Sequence, residues 1–580
     1  MGGMSGLYVG VSGLQTASNS LNTTANNLSN VNTTGYVRQQ VVNKDKAYNL
    51  VNTTAANTTG QRGNGVTIGT INHVRDIFLD AAYRKETGRQ SFYDNLYNSV
   101  YEIETQMGET DFISGIGFQS SFSDMLAALN EVAKAPTDQT SRSALIQSAV
   151  QFIDNAQNIY NGLAQYQTNL NTEIVNEINR INEIGEAIVD LNQRISKIES
   201  GQVEQAMDYR DQRDLLLDEL AGYCKISTSE DELGIVTVSI EGVQFADEFS
   251  YSHIGAQLID GTEFVKPVWT NLNDQDVYNL NNTISTEKNT DIGGLKGLLV
   301  ARGTITPTAY NMEEPDPADY TDAAGNLDTD AYDGAVKLHE EYETSSKIST
   351  LVNVLANFDK LVSTMIQKIN DVLCPETTVT AADGTTYTVL DTDNCPVSAD
   401  GSMGIELFTR NYCDRYEKQT IDGVEYYVRN DVSTFGNLSQ YSINNVTVNT
   451  SILQDYSLIP LYEQDGSASY ARAQELVELF STDFSELTYN GGSDEMTFEQ
   501  FYEAMVNDVA ISGSVYSSMS ENESTLASQL DSQRQEIMGV SSDEELTNMI
   551  RYQQAYNAAS RFINVESEML EHLIMNLGVG

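Results

Sequence analysis

Over the first thirty residues apolar side chains recur at alternating steps of three and four. Met4, Leu7, Val11, Leu14, Ser18, Leu21, Ala25 and Leu28 fall on one line, the seam of a coiled-coil-like helix. At the other end the same step runs through Leu546, Met549, Gln553, Tyr556, Ser560, Ile563, Ser567, Leu570, Ile574 and Leu577, with Ser542 and Glu545 at capping-box spacing ahead of it. Both seams mix apolar with small or polar residues, and neither is rich enough to hold a helix alone. Two arrangements fit: an N–C helical hairpin inside one domain, or two helices ordered by packing against copies or neighbours. Opposite its seam the first helix carries Ser, Thr, Asn and Gln and no charge, whereas a face meant for solvent usually carries Lys and Glu. Uncharged polar faces bury at less cost when they find partners, which favours the second arrangement.

Between the ends, residues 80–222 read as helices. The clearest covers about 163–199, where Ile181, Ile184, Ile188, Leu191, Ile195 and Ile198 keep the three–four step. Others are expected over about 344–373 and 513–538, so distant stretches combine into a bundle. Residues 225–300 alternate in strand fashion, as in Ile235–Ile240, and 376–470 do so around Thr377–Val379, Thr386–Leu390, Tyr426–Val428 and Val446–Val448. Residues 303–343 hold eleven acidic side chains against one Lys and read as a solvated loop or disordered insertion. The expected fold is multidomain and mainly α, with coiled-coil-like terminal helices, a long-helix bundle and small β-rich outer domains inserted into it. The boundaries are 1–45 with 541–580 for the terminal helical domain; 46–222 with 344–375 and 470–540 for the bundle; 223–302 for a β domain; 303–343 for the acidic insertion; and 376–469 for the second β-rich domain.

A length of 580 residues is too long for one core. The formal net charge of −51 argues against nucleic acid and against an anionic membrane surface. Four cysteines are too few and scattered for a disulfide framework, and none are at C-x-x-C spacing. Cys374 could bridge to Cys395 or Cys413 in an oxidising place, with free buried thiols the favoured state. The first cation is Arg38 and no apolar run precedes it, so no cleaved signal peptide is expected. No run of 18 apolar residues predicts a membrane span. Targeting rules alone place such a chain in the cytoplasm.

Motifs for chemistry are missing. Gly63-Asn64-Gly65 is a turn in a polar segment, not a phosphate cradle. His339-Glu340-Glu341 begins like a zincin helix, but Glu343 stands where the second His is needed. Asp328, Asp330 and Asp333-Gly334 faintly resemble a calcium loop whose third ligand is one place late. No catalytic, cofactor-binding or metal-ligating residue is assigned.

Asn26-Asn27-Leu28-Ser29-Asn30-Val31-Asn32-Thr33-Thr34-Gly35-Tyr36 resembles the N-terminal signature of flagellar rod, hook and hook-associated proteins, with Asn26, Asn27, Asn30, Asn32, Gly35 and Tyr36 forming a helix-ending turn. Gly539–Leu546 followed by Ile550–Ser560, Asp208–Ala221, Gly293–Leu299 with Arg302, and Gly401–Phe408 are similar, in order, to blocks of the hook-associated protein 1 family. Gly293–Leu299 matches the family's strand leading into its next helix. The departures are 303–343, 376–400 and Ser541-Ser542. The resemblance implies export through the flagellar type III apparatus without a cleaved signal, and an extracellular place in the flagellum as a ring of subunits joining hook to filament. Terminal helices disordered in the monomer would fold on assembly. Implied partners are copies of itself, the hook protein, the second hook-associated junction protein and an export chaperone at the C-terminal helix; neither nucleic acid nor membrane insertion is expected. The assembly seams would be Met4, Leu7, Val11, Leu14, Leu21 and Leu28 at one end, and Leu546, Met549, Tyr556, Ile563, Leu570, Ile574 and Leu577 at the other. Alternatives are another axial protein, such as the distal junction subunit or hook protein, or a secreted enzyme or adhesin on the same scaffold.

Overall fold

The computed structural model describes residues 2–50, 61–108, 117–201, 205–321, 326–382, 384–430, 432–489 and 492–577. The helices are α1 (Gly2–Ser29), α2 (Ile77–Met107), α3 (Phe118–Lys134), α4 (Gln139–Glu199), α5 (Met207–Tyr223), α6 (Gly294–Arg302), α7 (Thr329–Ser346) and α8 (Thr350–Leu373). After them come the short α9 (Val432–Phe435) and α10 (Thr450–Gln454), then α11 (Tyr470–Glu478), α12 (Phe498–Met538) and α13 (Ser542–Leu577). Contacts divide the chain into two units, one of Met1–Gln90, Ile181–His253 and Asn522–Gly580, the other of Ser91–Arg180 and Ile254–Glu521.

In the first unit, strands β1 (Gln39–Asp45), β2 (Asn49–Leu50), β3 (Gln61–Arg62) and β4 (Val66–His73) make an antiparallel ribbon in which β1 pairs β4 and β2 pairs β3. A second sheet orders β5 (Ile226–Glu230), β6 (Val236–Ile240) and β7 (Val243–Ala246). The strict alternation of β6 buries Val236, Val238 and Ile240, as do Ile184, Ile188 and Ile195 of α4 and Leu217 and Leu220 of α5. Asn192 of α4 locks this sheet: its amide donates to the Val236 carbonyl at 2.8 Å and to that of Asp247 at 3.0 Å, and its oxygen accepts the Val236 N–H at 3.2 Å.

A closed ring of six charges ties the first unit's helices together. Arg75 bonds Asp80 at 2.8 Å and also Asp214; Arg84 bonds Asp218 at 2.6 Å and lies 3.6 Å from Asp214; Arg534 bonds Asp80 at 2.8 Å and Asp218 at 2.7 Å. The Arg534 guanidinium also stacks over Tyr83, 4.2 Å from the ring centre. Three arginines and three aspartates alternate, so each buried charge has opposite neighbours on both sides, the condition under which ions tolerate burial.

In the second unit α8 is buried nearly all round, with Leu351, Val354, Leu355, Phe358, Leu361, Val362, Met365 and Ile369 in the core. Strands β8 (Ile254–Leu258), β9 (Val265–Trp269) and β10 (Gln275–Asp276) form one antiparallel sheet. Strands β11 (Glu376–Thr380), β12 (Thr386–Leu390), β14 (Tyr416–Ile421) and β15 (Val424–Arg429) form another, ordered β11-β12-β15-β14, while β13 (Phe408–Arg410) pairs β16 (Val446–Val448). Each inserted piece is held by a buried polar side chain. Asn370 of α8 accepts the N–H groups of Leu407 and Phe408 at 3.1 Å each and donates to the Phe408 carbonyl at 2.8 Å. Gln157 donates to the carbonyls of Ile443 and Val446, and Gln167 to those of Arg302 and Ile305. Asp359 accepts from Ala309 and Ile443, both at 2.7 Å.

Several expectations change. The helix expected over 163–199 runs unbroken from Gln139 to Glu199. Gly293–Leu299 leads into helix α6 instead of forming a strand. All nine residues of α6 are buried, and an apolar run buried on every side has no periodicity to separate helix from strand. The acidic stretch 303–343 is largely folded, apart from 322–325, which lie outside the described residues. Ile305 and Tyr342 form a core cluster with Val352 and Ala356, and Met312 and Leu338 pack against it. Leu338 and Tyr342 stand four apart on α7, an apolar stripe concealed by the acids around it. Asp328, read as a calcium-loop position, caps α7 by accepting the Ala331 N–H. All four cysteines are buried and unbridged. Ser541, one residue ahead of the expected Ser542, caps α13, its hydroxyl accepting the Glu544 N–H at 3.5 Å.

Arg534→Ala should destabilise the first unit by about 1–3 kcal/mol, because Asp80 and Asp218 each lose one of two cations and keep only Arg75 and Arg84. Arg534→Lys should recover only part, since an ammonium cannot fork to two carboxylates and stack on Tyr83. Denaturant unfolding followed by amide exchange in α5 reads this directly; unchanged protection in Arg534→Ala would dismiss the ring as a source of stability.

Candidate assembly surface

Helix α1 packs on α13 and on strands β1 and β4. It does so through its small and polar positions. Gly6, Gly10, Ser12, Thr16, Ala17, Ser20, Thr24 and Asn27 are buried. Gly6 and Gly10 permit a close approach to α13: a Cβ at Gly6 would lie 2.6 Å from the Glu566 carboxyl, and one at Gly10 2.7 Å from Ile563 Cγ1. Gly13 faces Ala559 at 3.8 Å. Glycine costs helix propensity at each site, and the approach of two helix backbones is what it allows in return. On the ribbon side the Ser12 hydroxyl accepts the Val66 N–H at 3.2 Å and donates to the Val9 carbonyl at 2.8 Å.

The signature turn ends α1 and aims the chain into β1. Asn27 is 1% exposed, and its amide donates to the Gln39 carbonyl at 2.9 Å while its oxygen accepts the Gln39 N–H at 3.1 Å. The Tyr36 hydroxyl donates to the same Asn27 oxygen at 2.8 Å and accepts from the Asn26 amide at 3.2 Å. Burial, with Asp211 and Asp208 adding to it, pushes the Tyr36 phenol up, so it stays a donor. The Asn30 amide donates to the Asn26 carbonyl at 3.0 Å, satisfying a helix-end group, and Gly35 takes φ +78°, where a side chain is strained. Asn32 is exposed. Arg38 pairs with Glu544 at 2.6 Å, and its N–H bonds the Met538 carbonyl at 2.8 Å, joining the turn to the start of α13.

The residues of the expected seams coincide only in part with what joins α1 to α13. Met4 and Val11 are exposed, and Leu7, Leu14, Leu21 and Leu28 half-buried. On α13 Leu546, Tyr556 and Ile574 are exposed, Met549, Ile563 and Leu570 half-buried, and the side chain of Leu577 lies outside the described residues. The less exposed line of α13 runs through Glu545, Met549, Tyr552, Ala559, Ile563, Glu566 and Leu570. It shares the i, i+7 positions Met549, Ile563 and Leu570 with the expected seam but shifts the others by one residue. The helices are thus ordered and paired within one chain, the hairpin arrangement, with apolar side chains left over outside. Tyr8 (74% exposed), Ile550, Phe562, Val565, Met569, Leu573, Ile574 (69%) and Met575 join Met4 and Val11 on that outer surface. Apart from Met4, Val11 and Ile574, these exposed residues, like the glycine stripe, were missed by apolar periodicity alone. Their signal was present: Gly6, Gly10 and Gly13 repeat at steps of four and three in a helix without charge. Scattered exposed apolar residues are ordinary, but a run of them along a helix pair marks a contact surface.

Among the described residues no group of three His, Cys, Asp or Glu could hold a metal ion, and no helix is long and apolar enough to cross a membrane.

Comparison with known proteins finds three family profiles along the chain. "Flagella basal body rod protein" matches residues 7–36, which covers most of α1 and the signature turn. "Flagellar hook-associated protein FlgK helical domain" matches 101–384, and "Flagellar basal body rod FlgEFG protein C-terminal" matches 531–577. Flagellar hook-associated protein 1 of Bacillus subtilis is 24% identical over 566 residues, covering 95% of this chain and 94% of its own. The proteins of that name from Salmonella typhimurium and Escherichia coli are 24% and 23% identical, each over 94% of this chain and 95% of theirs. A solved structure, the flagellar hook junction protein FlgK from Burkholderia pseudomallei, aligns with 79% of this chain and 99% of its own at a TM-score of 0.44 and 12% identity. Residues 101–384 thus carry the helical domain of the flagellar hook-associated protein FlgK family, and the chain is similar along nearly its whole length to flagellar hook-associated protein 1.

Proposed function

We propose that this protein is a structural subunit of the junction between hook and filament, polymerising through the α1–α13 pair. One observation carries the reading: α1 closes on α13 through small, uncharged residues, while Met4, Tyr8 and Val11 of α1 and Ile550, Val565, Met569 and Leu573 of α13 stay outside, available to neighbours. A helix pair built only for its own stability would place Tyr8, Met569 and Leu573 against its partner helix. Here they are the natural knobs of a contact between copies. The seam residues Met4, Val11, Leu546, Tyr556 and Ile574 belong to the same outward set, and Leu7, Leu14, Ile563 and Leu570 flank both contacts. In this reading the neighbours are copies of the chain in a ring, the hook protein and the second hook-associated junction protein. An export chaperone covers the exposed face of α13 beforehand, and the protein leaves the cell without a cleaved signal to function outside it. Its role is mechanical and not enzymatic.

Deleting the gene should leave intact hooks and release unpolymerised filament protein into the medium, as seen by electron microscopy and blotting of the supernatant. Filaments of normal number and length on the deletion strain would end the junction reading. In a complemented strain, Met569→Asp with Leu573→Asp should abolish motility and filament attachment while leaving the secreted chain folded, because both side chains are exposed and touch no core. Wild-type swimming by that variant would remove the outward face from the contact.

Gly10→Leu tests the inward face separately. Its side chain would have to displace Ile563 and Phe562, so amide protection in both α1 and α13 should fall at least 10-fold while the second unit is unchanged. Equal protection in variant and wild type would mean that the two helices do not pair in the free chain.

A further inference from the structure

His73 ends β4, and Asp211 lies in the second turn of α5. The imidazole Nε2 and the carboxylate Oδ1 face each other at 3.5 Å, with only a tenth of either side chain exposed. Neither atom has a hydrogen-bond partner. The other Asp211 oxygen accepts the Val37 N–H at 3.3 Å, at the point where the signature turn enters β1. The pair therefore sits where the chain passes out of α1, and where the ribbon returns, against α5.

The surrounding charges are already committed. Arg75 bonds Asp80 and Asp214, Arg210 bonds Glu199 and Glu230, and the Arg213 guanidinium donates to Asn192 and the Gly234 carbonyl. Glu199 also accepts the Ala206 N–H. Asp208 of α5 is exposed to solvent, and Tyr36 and Glu545 face the turn side. Among the described residues no cation other than His73 pairs directly with Asp211 and no carboxylate other than Asp211 pairs with His73; Arg75 and Glu199 act on them only from a distance. A lone buried charge costs far more than a shared proton.

We propose that His73 and Asp211 hold one proton between them as a net-neutral pair, latching the end of β4 to α5, and that this joint loosens when the proton leaves. The titration agrees with the geometry. Burial pushes Asp211 up to about 7 against the pull of the Val37 N–H and Arg75, and burial followed by Arg75 pushes His73 down to about 4. These belong to the pair together. Between about 4 and 7 it carries one proton and no net charge; above that it becomes a buried anion.

The sign of the stability effect follows. In the unfolded chain the same two protons leave near the ordinary values of about 3.9 for Asp and 6.5 for His. Folded and unfolded states then take up protons over nearly the same range, so the wild type should be almost flat in stability from pH 5.0 to 6.5. Single substitutions unmask the halves. Asp211→Asn leaves a His whose folded pKa is lowered, and stability falls as pH drops from about 6.5 towards 4. His73→Gln leaves an Asp whose folded pKa is raised, and stability rises as pH drops from about 7 towards 4.

Thermal melts of the full chain and both variants from pH 5.0 to 8.5 supply the test, together with amide exchange in peptides covering 36–45 and 66–75, corrected for intrinsic rates. Opposite slopes in the two variants with a flat wild type are expected. So is exchange at the joint that speeds up about 2-fold between pH 6.5 and 8.5 in the wild type. That acceleration should vanish in Asp211→Asn, which has no proton to lose there. Slopes of the same sign in both variants, or joint exchange with equal pH dependence in wild type and Asp211→Asn, would overturn the shared proton. Neither outcome depends on whether the protein assembles.

Discussion

A helix that carries inserted sheets and loops must supply hydrogen-bond partners to backbone it did not itself fold. Here one kind of side chain does this repeatedly. Asn27 takes both backbone groups of Gln39, Asn192 both of Val236, and Asn370 both of Phe408. Gln157, Gln167 and Asp359 hold further edges. A primary amide is suited to the task because it has a donor and an acceptor fixed in one plane, as does the peptide edge it meets. Each unmade bond at such a buried edge would cost about 1–3 kcal/mol, so register and placement of the inserted pieces follow from single residues on long, stiff helices.

The same accounting explains the terminal pair. Inward, α1 presents glycine, alanine, serine and threonine, which bring backbones close but bury little apolar surface per residue. A pair joined in this way depends on its attachments: Ser12 to Val66, Asn27 to Gln39, Arg38 to Glu544 and to the Met538 carbonyl. These fix the pair at the ribbon and at the start of α13 while leaving the outward apolar residues uncommitted. In the proposed contact the hydrophobic effect would act through these residues, in proportion to the area a neighbour covers.

Much of this was legible in the sequence, and the exceptions share a cause. Long helices with one buried stripe, such as the isoleucine line of α4, announced themselves by period. So did β6, half-buried and alternating. Segments buried all round, such as α6, offer no period, and the acidic run concealed the two-residue stripe of α7. At the termini the period was real, but it did not separate the buried face from the exposed one. Apolar spacing located the helices and took in half-buried positions such as Leu14 and Ile563 together with exposed ones such as Met4 and Ile574, whereas the face that α1 buries is marked by glycine spacing and by the lack of charge. The six-charge ring was out of reach for a different reason: Arg75, Asp80, Arg84, Asp214, Asp218 and Arg534 lie in three distant parts of the chain, and nothing local distinguishes them from solvated charges.

Charge placement completes the physical argument for self-association. A chain of net charge −51 repels its copies, and only what lies within about a Debye length of the contact, ~8 Å at physiological salt, escapes screening. Helix α1 contains no Asp, Glu, Lys, Arg or His, and residues 1–90 hold eight Lys and Arg against four Asp and Glu, a balance of +4. The acidity therefore lies entirely in the rest of the chain. In the proposed contact between copies α1 brings no charge of its own, whereas α13 brings six Asp and Glu against two Arg, so the repulsion between monomers is least on the α1 side of the pair.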